Sequence, residues 1–375
     1  MEQSQPKHKN LEVLLLFLKL GTISFGGPAA HIALMEEEIV HKRKWVSHEY
    51  FLDALALTNL VPGPNAIEMA VLMGTCRAGW AGTFLAGAAF MLPAAAISLL
   101  LAVVYVQWGS LPAVEAIFYG INPVIIAIIL FSAYRLGRTT FKKISAGVLG
   151  VACLAAALMG ADEALILLAA GVAGMGVHYL QKPPVALAAG IWLRGWFSDE
   201  GPDKLVQLTL FFLKVGALLF GSGMVLFAFI QRDVVTRFGW LTEQQLLDAI
   251  SVGQMSPGPV SSSATFIGYL VAGLPGAVLA TLAIILPSFL IVSLLGRLLP
   301  VLQRSSAVQA FLGGVAAGVV ALIVSVGTAL LRTALLDIWS VLLFLAACAV
   351  LLWTKVDTIW LVLIGAALGL LLQLL

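Results

Sequence analysis

Long apolar stretches separated by brief polar breaks fill this chain from residue 11 to its end. A membrane-spanning helix needs about 20 consecutive apolar residues. The first half offers candidates near 11–34, 50–74, 79–106, 112–134, 143–160 and 163–180. The second offers 207–230, 245–271, 274–297, 306–331, 337–353 and 358–375. No gap between them holds a soluble domain. The widest gap lies near 182–204 and ends in Asp199, Glu200, Gly201, Pro202 and Asp203. A short apolar run inside it, Pro184 to Phe197, would extend only about 21 Å as a helix, less than the roughly 30 Å hydrocarbon core. The polar start, MEQSQPKHKN, leads into an apolar run that contains Lys19 and lacks a small-residue cleavage site, so it reads as a retained segment and not a signal peptide. The pattern predicts an all-α polytopic membrane protein with roughly 10–13 membrane segments.

The chain also repeats itself. Residues 17–64 align without gaps on 212–259, at a constant offset of 195, and 15 of the 48 positions are identical. FLKLGTISFGG faces FLKVGALLFGS, Trp45 faces Trp240, and Leu52-Asp53-Ala54 faces Leu247-Asp248-Ala249. Pro62-Gly63-Pro64 faces Pro257-Gly258-Pro259. After a one-residue slip, Gly74, Gly79, Gly82 and Pro93 face Gly268, Gly273, Gly276 and Pro287. A shared bias toward Leu and Ala does not produce matched Lys, Asp, Trp and Pro. The chain therefore divides into an N-terminal repeat (1–181), a linker (182–204) and a C-terminal repeat (205–375).

Loop charges test how the halves are oriented, because cytoplasmic loops carry excess Lys and Arg. With the linker residues and the two intramembrane lysines set aside, parallel halves give no bias. Inversion of the second half puts Lys7, Lys9, Arg77, Arg135, Arg138, Lys142, Lys143, Arg232, Arg237, Arg297, Arg304 and Lys355 on one side. Inverted repeats are expected on this count. They require either that 184–197 crosses or that a first-half segment is re-entrant, and the Pro-Gly-Pro segment is the better hairpin candidate.

Composition narrows the function. The chain is 61% hydrophobic and 11% charged, with a mean hydropathy of +1.03. Soluble domains carry about 25% charged residues. A net charge of +2 gives no footprint for nucleic acid. Cys76, Cys153 and Cys348 lie far apart and form neither metal spacing nor a disulfide framework. There is no phosphate-binding loop and no nucleophile or metal motif, so neither an enzyme, a cofactor nor a catalytic site is expected.

The repeated motifs carry the candidate chemistry. Proline removes a backbone donor and clashes with the preceding turn. Each Pro-Gly-Pro should therefore end one half-helix and start another, with Pro64 and Pro259 at the new first turn. Such an N-terminus presents N–H groups and the positive end of the helix dipole to an anion. Gly26-Gly27-Pro28 and Gly221-Ser222-Gly223 are breaks of the same kind. Four breaks are expected to converge near mid-membrane, with Gly63, Asn65 and Gly258 in the wall.

Around them lie Ser256, Ser261, Ser262 and Ser263, whose hydroxyls can donate to an oxyanion or simply pack between helices. Lys19 and Lys214 sit some ten residues into apolar segments, where a charge costs about 2.5–3.5 kcal/mol, so both are candidate anion ligands. Glu68, His31, Asp53 and Asp248 are candidates for coupling or gating. The tract from Glu36 to Lys44 reads as a solvated interfacial charge run ending in the anchor Trp45.

FLKLGTISFGGPAAH, EEEIVHKRKWVSHEYFLDALALTNLVPGP and their second-half counterparts FLKVGALLFGSG and RFGWLTEQQLLDAISVGQMSPGPVSSSATFIGY closely resemble the chromate ion transporter family. The order FGGP (FGSG in the second half), W, LDA, PGP holds in each half, and the resemblance covers both, as in the long two-domain type. It implies efflux of chromate, with sulfate as a structural analogue, and chromate resistance in a bacterium, from its inner membrane. The family's motif positions fall here on Gly26, Gly27, Pro28, Pro62, Gly63, Pro64, Gly221, Pro257, Gly258 and Pro259.

The expected mechanism is alternating access around a central oxyanion site, in a lipid bilayer, with room for a homodimer. A carrier or channel for another small anion, and a membrane scaffold that transports nothing, are the alternatives.

Overall fold

The computed structural model describes residues 6–25, 28–58, 61–179, 203–220, 223–295, 305–354 and 356–373, and no strand occurs among them. Among the described residues, seven helices belong to the first half: α1 (Pro6–Ile23), α2 (Pro28–Glu36), α3 (His48–Thr58), α4 (Asn65–Trp108), α5 (Pro112–Thr140), α6 (Ile144–Leu158) and α7 (Glu163–Tyr179). Seven more form the second: α8 (Lys204–Leu218), α9 (Val225–Phe229), α10 (Glu243–Met255), α11 (Ser263–Leu295), α12 (Ser306–Ala334), α13 (Ile338–Trp353) and α14 (Thr358–Gln373). Both α2 and α9 continue into a stretch of π-helix, Glu37–Lys42 and Ile230–Arg237.

The repeat is visible in the backbone. In α4 the chain turns at Ala78 (φ −137°, ψ 19°) and Gly79 (φ 61°, ψ −147°). In α11 it turns at Ala272 (φ −146°, ψ 26°) and Gly273 (φ 64°, ψ −153°). Each long helix is thus a short arm and a long arm folded on one another. Gly74 lies against Gly82 and Gly268 against Gly276, where the lack of side chains lets the backbones touch.

Polar contacts fix where these hairpins begin and end. Glu12 near the start of α1 receives Arg77 Nη2–H at 2.6 Å and Trp45 Nε1–H at 3.1 Å. Tyr50 at the start of α3 reaches Cys76 at 3.0 Å. The start of α1, the loop after α2, the start of α3 and the end of the short arm of α4 therefore share one face of the bundle, here called the N-terminal face. Both α1–α2 and α3–α4 enter from that face and return to it.

The second half does the same from the other side. The α6–α7 loop lies on the far face, because the long arm of α4, then α5, then α6 cross before it. There Asp162 and Glu163 meet Lys214 and Arg232 of the second half, with Arg232 Nη1 at 3.3 Å from Glu163 Oε2. Tyr119 at the start of α5 donates to Asp337 at 2.7 Å on that same face. The halves are inverted.

Two expectations change. The stretches 11–34, 50–74, 207–230 and 245–271 are not single spans; in each, the helices before and after the break are a hairpin. The Pro-Gly-Pro hairpin was expected, but the α1–α2 hairpin was not. Because α1–α2 returns, Lys42, Arg43 and Lys44 move to the N-terminal face, and because α8–α9 returns, Arg232 and Arg237 move to the far face.

Among the described loops and helix ends, Lys9, Lys42, Arg43, Lys44, Arg77, Arg135, Arg138, Lys142 and Lys143 then oppose Lys204, Arg232, Arg237 and Arg332. The bias survives with different members. The 184–197 run lies outside the described residues.

Among the described residues, four helices are long and apolar enough to cross a bilayer: α4, α5, the helix from Val260 to Leu294, and α12. Shorter apolar helices α6, α7, α13 and α14 accompany them. Along α11, Leu274, Val278, Leu282, Leu286, Leu290 and Leu294 are all exposed, one per turn. Such a stripe would be an aggregation liability in water and is the expected surface against lipid. The protein is a multi-pass membrane protein.

Candidate functional site

Inversion brings the four hairpin tips to one place. Gly63 donates its backbone N–H to the Leu219 carbonyl at 2.7 Å, and Gly258 donates to the Ser24 carbonyl at 2.7 Å. Ser24 and Leu219 are themselves related by the 195-residue offset. Each Pro-Gly-Pro tip therefore rests on the first break of the other half, in a reciprocal, two-fold manner. Gly63 (φ 149°) and Gly258 (φ 89°) adopt backbone that L side chains resist, and flanking prolines fix the turn around them.

Between the tips lies a cavity of about 120 Å³ lined by His31, Gly63, Pro64, Asn65, Ala66, Ser132, Gly223, Met224, Pro259, Val260 and Ser261. One water needs roughly 10–15 Å³, so a small polyatomic ion has room. The wall has two notable properties. The N-terminus of α4 opens into it at Asn65, with Pro64 as its extended cap. Among the described residues, no Lys, Arg, Asp or Glu lines it. The polar groups are His31, Asn65, Ser132 and Ser261. Ser261 is buried, and its hydroxyl has no hydrogen-bond partner among the described residues.

The other candidates fall into separate groups. Ser256 and Ser262 are 2.9 Å apart, and Ser98 lies 3.4 Å from Ser256, so these hydroxyls are partly engaged with one another behind the cavity wall. Ser263, like Ser261, is buried without a partner among the described residues. Glu68, one turn beyond Pro64, is fully buried, and neither carboxyl oxygen has a partner there. It is packed against Gly63 and Ser288 of α11. His31 lies edge-on to Phe90, 5.7 Å between ring centres. Pro28 starts α2. Gly26, Gly27, Gly221 and Ser222 lie outside the described residues.

Lys19 and Lys214 do not line the cavity. Lys19 Nζ lies 2.7 Å from Glu38, which also meets Lys42 at 3.2 Å and Arg43. Lys214 Nζ lies 3.0 Å from Asp233 and 3.9 Å from Asp162. Each lysine thus pairs with the acid nineteen residues on, within its own first hairpin. A buried acid with a lysine beside it satisfies the intramembrane charge locally. Glu38 is 5% exposed and does not belong to a solvated run, unlike its neighbours Glu36 and Glu37.

Asp53 and Asp248 share a sequence context and nothing else. Asp53 is exposed. Asp248 is buried and accepts hydrogen bonds from Tyr105, Asn122 and Gln244.

Comparison with known proteins agrees with this two-fold construction. The chromate transporter family model matches the chain twice, over residues 11–175 and 206–370. The chain belongs to the chromate transporter family. It is 34% identical over 375 residues to a chromate transport protein of Cupriavidus metallidurans, covering 97% of this chain and 93% of that one. It is 32% identical over 352 residues to a probable chromate transport protein of Synechococcus elongatus, covering 91% and 90%. No solved structure matches it.

For a member of this family, the sequence reading missed three kinds of residue. Glu38 and Asp233, the partners of the lysines, sit at the same 195 offset as the lysines themselves, so that signal was present in the self-alignment. Ser132 comes from α5, outside the repeated motif, and nothing local marks it. Tyr105 and Asn122 reach Asp248 from the other half, which only the folded topology reveals.

Proposed function

We propose that this chain carries chromate across the cytoplasmic membrane of a bacterium, with sulfate as an analogue, by alternating access at the cavity between the Pro-Gly-Pro tips. The observation that carries the reading is the cavity wall: a helix N-terminus, an amide, two hydroxyls and an imidazole, with no carboxylate among the described residues that line it. Partial positive charge at the start of α4 attracts a dianion, and neutral donors hold it without trapping it. Membership of the family supports the substrate. The unpartnered Ser261 hydroxyl is free to donate to an oxyanion, with Asn65 opposite. Glu68 and His31 flank the cavity and serve gating.

The positive-inside rule puts the N-terminal face in the cytoplasm. Export of a dianion then runs with an inside-negative potential, at about 2.3 kcal/mol per charge per 100 mV, or about 4.6 in all. The two hairpin pairs, one open to each face, give the cavity two gates of like construction. Inverted repeats commonly work this way.

Inside-out vesicles with an imposed potential test the reading. Labelled chromate should accumulate and unlabelled sulfate should compete. Ser261→Ala and Asn65→Ala should each weaken chromate binding about tenfold or more, because a hydrogen bond to a charged group contributes about 1.5–3 kcal/mol. Absence of chromate uptake by the parent protein sinks the proposal.

A further inference from the structure

On the far face a second cavity of about 370 Å³ is lined by Tyr105, Gly109, Glu115, Phe118, Tyr119, Asn122, Gln244, Asp248, Thr333, Ala334 and Leu336. Its chemistry is opposite to that of the central cavity. Among the described residues, two carboxyl groups, Glu115 and Asp248, face it, and no Lys or Arg does. An anion would be repelled here.

Asp248 sits at its inner wall, 3% exposed. Tyr105 of α4 donates to Oδ2 at 2.7 Å. Asn122 of α5 donates to Oδ1 at 3.1 Å, and Gln244 of α10 donates to the same oxygen at 2.9 Å. All three donors are uncharged, and no Lys or Arg among the described residues pairs with the carboxylate. All three aim hydrogens at it, an arrangement that disfavours a metal cation and holds the carboxylate in its charged form, so a proton can bind only by breaking into this set of bonds. Ser251, one turn on, donates to Asn122 Oδ1 at 3.1 Å and extends the network along α10.

We propose that Asp248 is a proton-binding site reached from the far face, and that its protonation releases the α10 arm from α4 and α5. A protonated carboxyl has one O–H donor and less acceptor capacity, so at least one of the three bonds is lost. The proton comes from water in the far-face cavity and returns to water when the arm closes; no other bond forms or breaks. The arm ends at Ser256, and Gly258 just beyond it is bonded to Ser24 at the central cavity. Proton binding at one end is thereby transmitted to the gate at the other. The coupling half of the proposal rests on the transport reading above; the proton-binding half does not.

Two measurements on the purified full chain separate them. Infrared titration of the unliganded protein should give a protonated-carboxyl band that is lost in Asp248→Asn and kept in Asp53→Asn. The same titration in Asp248→Asn as in the parent overturns proton binding at this site. In proteoliposomes held at zero membrane potential, an imposed pH gradient should drive chromate flux. That flux should fall at least about fivefold in Asp248→Asn and in Tyr105→Phe, the low end of coupling between sites. Chromate counterflow should persist in both. Unchanged gradient-driven flux in Asp248→Asn, or no response of the parent to the gradient while counterflow proceeds, overturns the coupling. Absence of counterflow in the parent is instead the failure of the transport reading, and leaves the infrared result to decide proton binding alone.

Discussion

Gly63 and Leu219 are 156 residues apart in sequence and 2.7 Å apart in hydrogen bonding, and Gly258 and Ser24 reproduce the bond with the halves exchanged. This reciprocity ties the two inverted repeats together at the point where each chain is broken. A broken helix inside a membrane needs its freed backbone groups satisfied by protein. Here each half satisfies the other.

Alanine at Gly258 tests that tie. The residue has φ 89°, and an added Cβ would meet Ala94 Cβ at 3.0 Å. Left-handed backbone costs a side-chain residue roughly 1–2 kcal/mol, before any crowding. Gly258→Ala should lower the melting temperature of the detergent-solubilised protein by several degrees. Gly79→Ala, also at positive φ but with no atom near its Cβ, should cost less. Equal losses would mean that crowding at the tip contributes nothing.

The lysine pairs should behave differently from one another. Lys214 and Asp233 are 13% and 4% exposed, whereas the Lys19 side chain is 51% exposed. Removing one partner of a buried pair costs about 3–5 kcal/mol, because the other charge is stranded. Lys214→Gln should therefore unfold the protein readily, and Lys214→Met with Asp233→Leu should recover much of the loss. Thermal melts of the single and double variants check this. Chromate affinity per folded molecule should be unchanged in Lys19→Gln; a large drop would return the lysine to the anion site.

Much of this architecture was legible in the sequence, and the failures have physical causes. Hydrophobic runs marked the helices, and the 195-residue offset marked the duplication and its breaks. The α1–α2 hairpin was hidden because Gly26-Gly27-Pro28 interrupts an apolar run that reads equally well as a kinked span. Lys19 and Lys214 read as anion ligands because their local surroundings are apolar; the acids that pair with them lie nineteen residues away. Asp53 and Asp248 have the same neighbours in sequence. They differ only because α4 and α5 bring Tyr105 and Asn122 to one of them, a cross-half contact with no local signature.

Glu68 is expected to trade stability for function. A buried polar group without a partner costs about 1–3 kcal/mol. Glu68→Leu should raise the melting temperature while slowing chromate flux. A variant that is stabilised and fully active would show that the carboxyl has no part in gating.

Asp337 gives a pH dependence outside the membrane core. It caps α13, accepting from the Ser340 backbone N–H at 2.9 Å and from Tyr119 at 2.7 Å. The Ser340 backbone bond first, and then Tyr119, hold its carboxyl below the ordinary value of 3.8. A depressed carboxyl stabilises the fold above its unfolded value, and the contribution is lost as pH falls through the folded one. Melting temperatures should therefore drop on acidification below about pH 4. In Asp337→Asn this part of the drop should disappear. An identical acid profile in the variant would remove Asp337 from the account.

The central claim is that the anion sits between the Pro-Gly-Pro tips, held by neutral donors and the start of α4. Anomalous scattering from chromium in crystals soaked with chromate locates the anion directly. The account predicts one peak between Asn65 and Ser261, beside His31. A peak against Lys19 or Lys214, or in the far-face cavity at Asp248, with none between the tips, would contradict it.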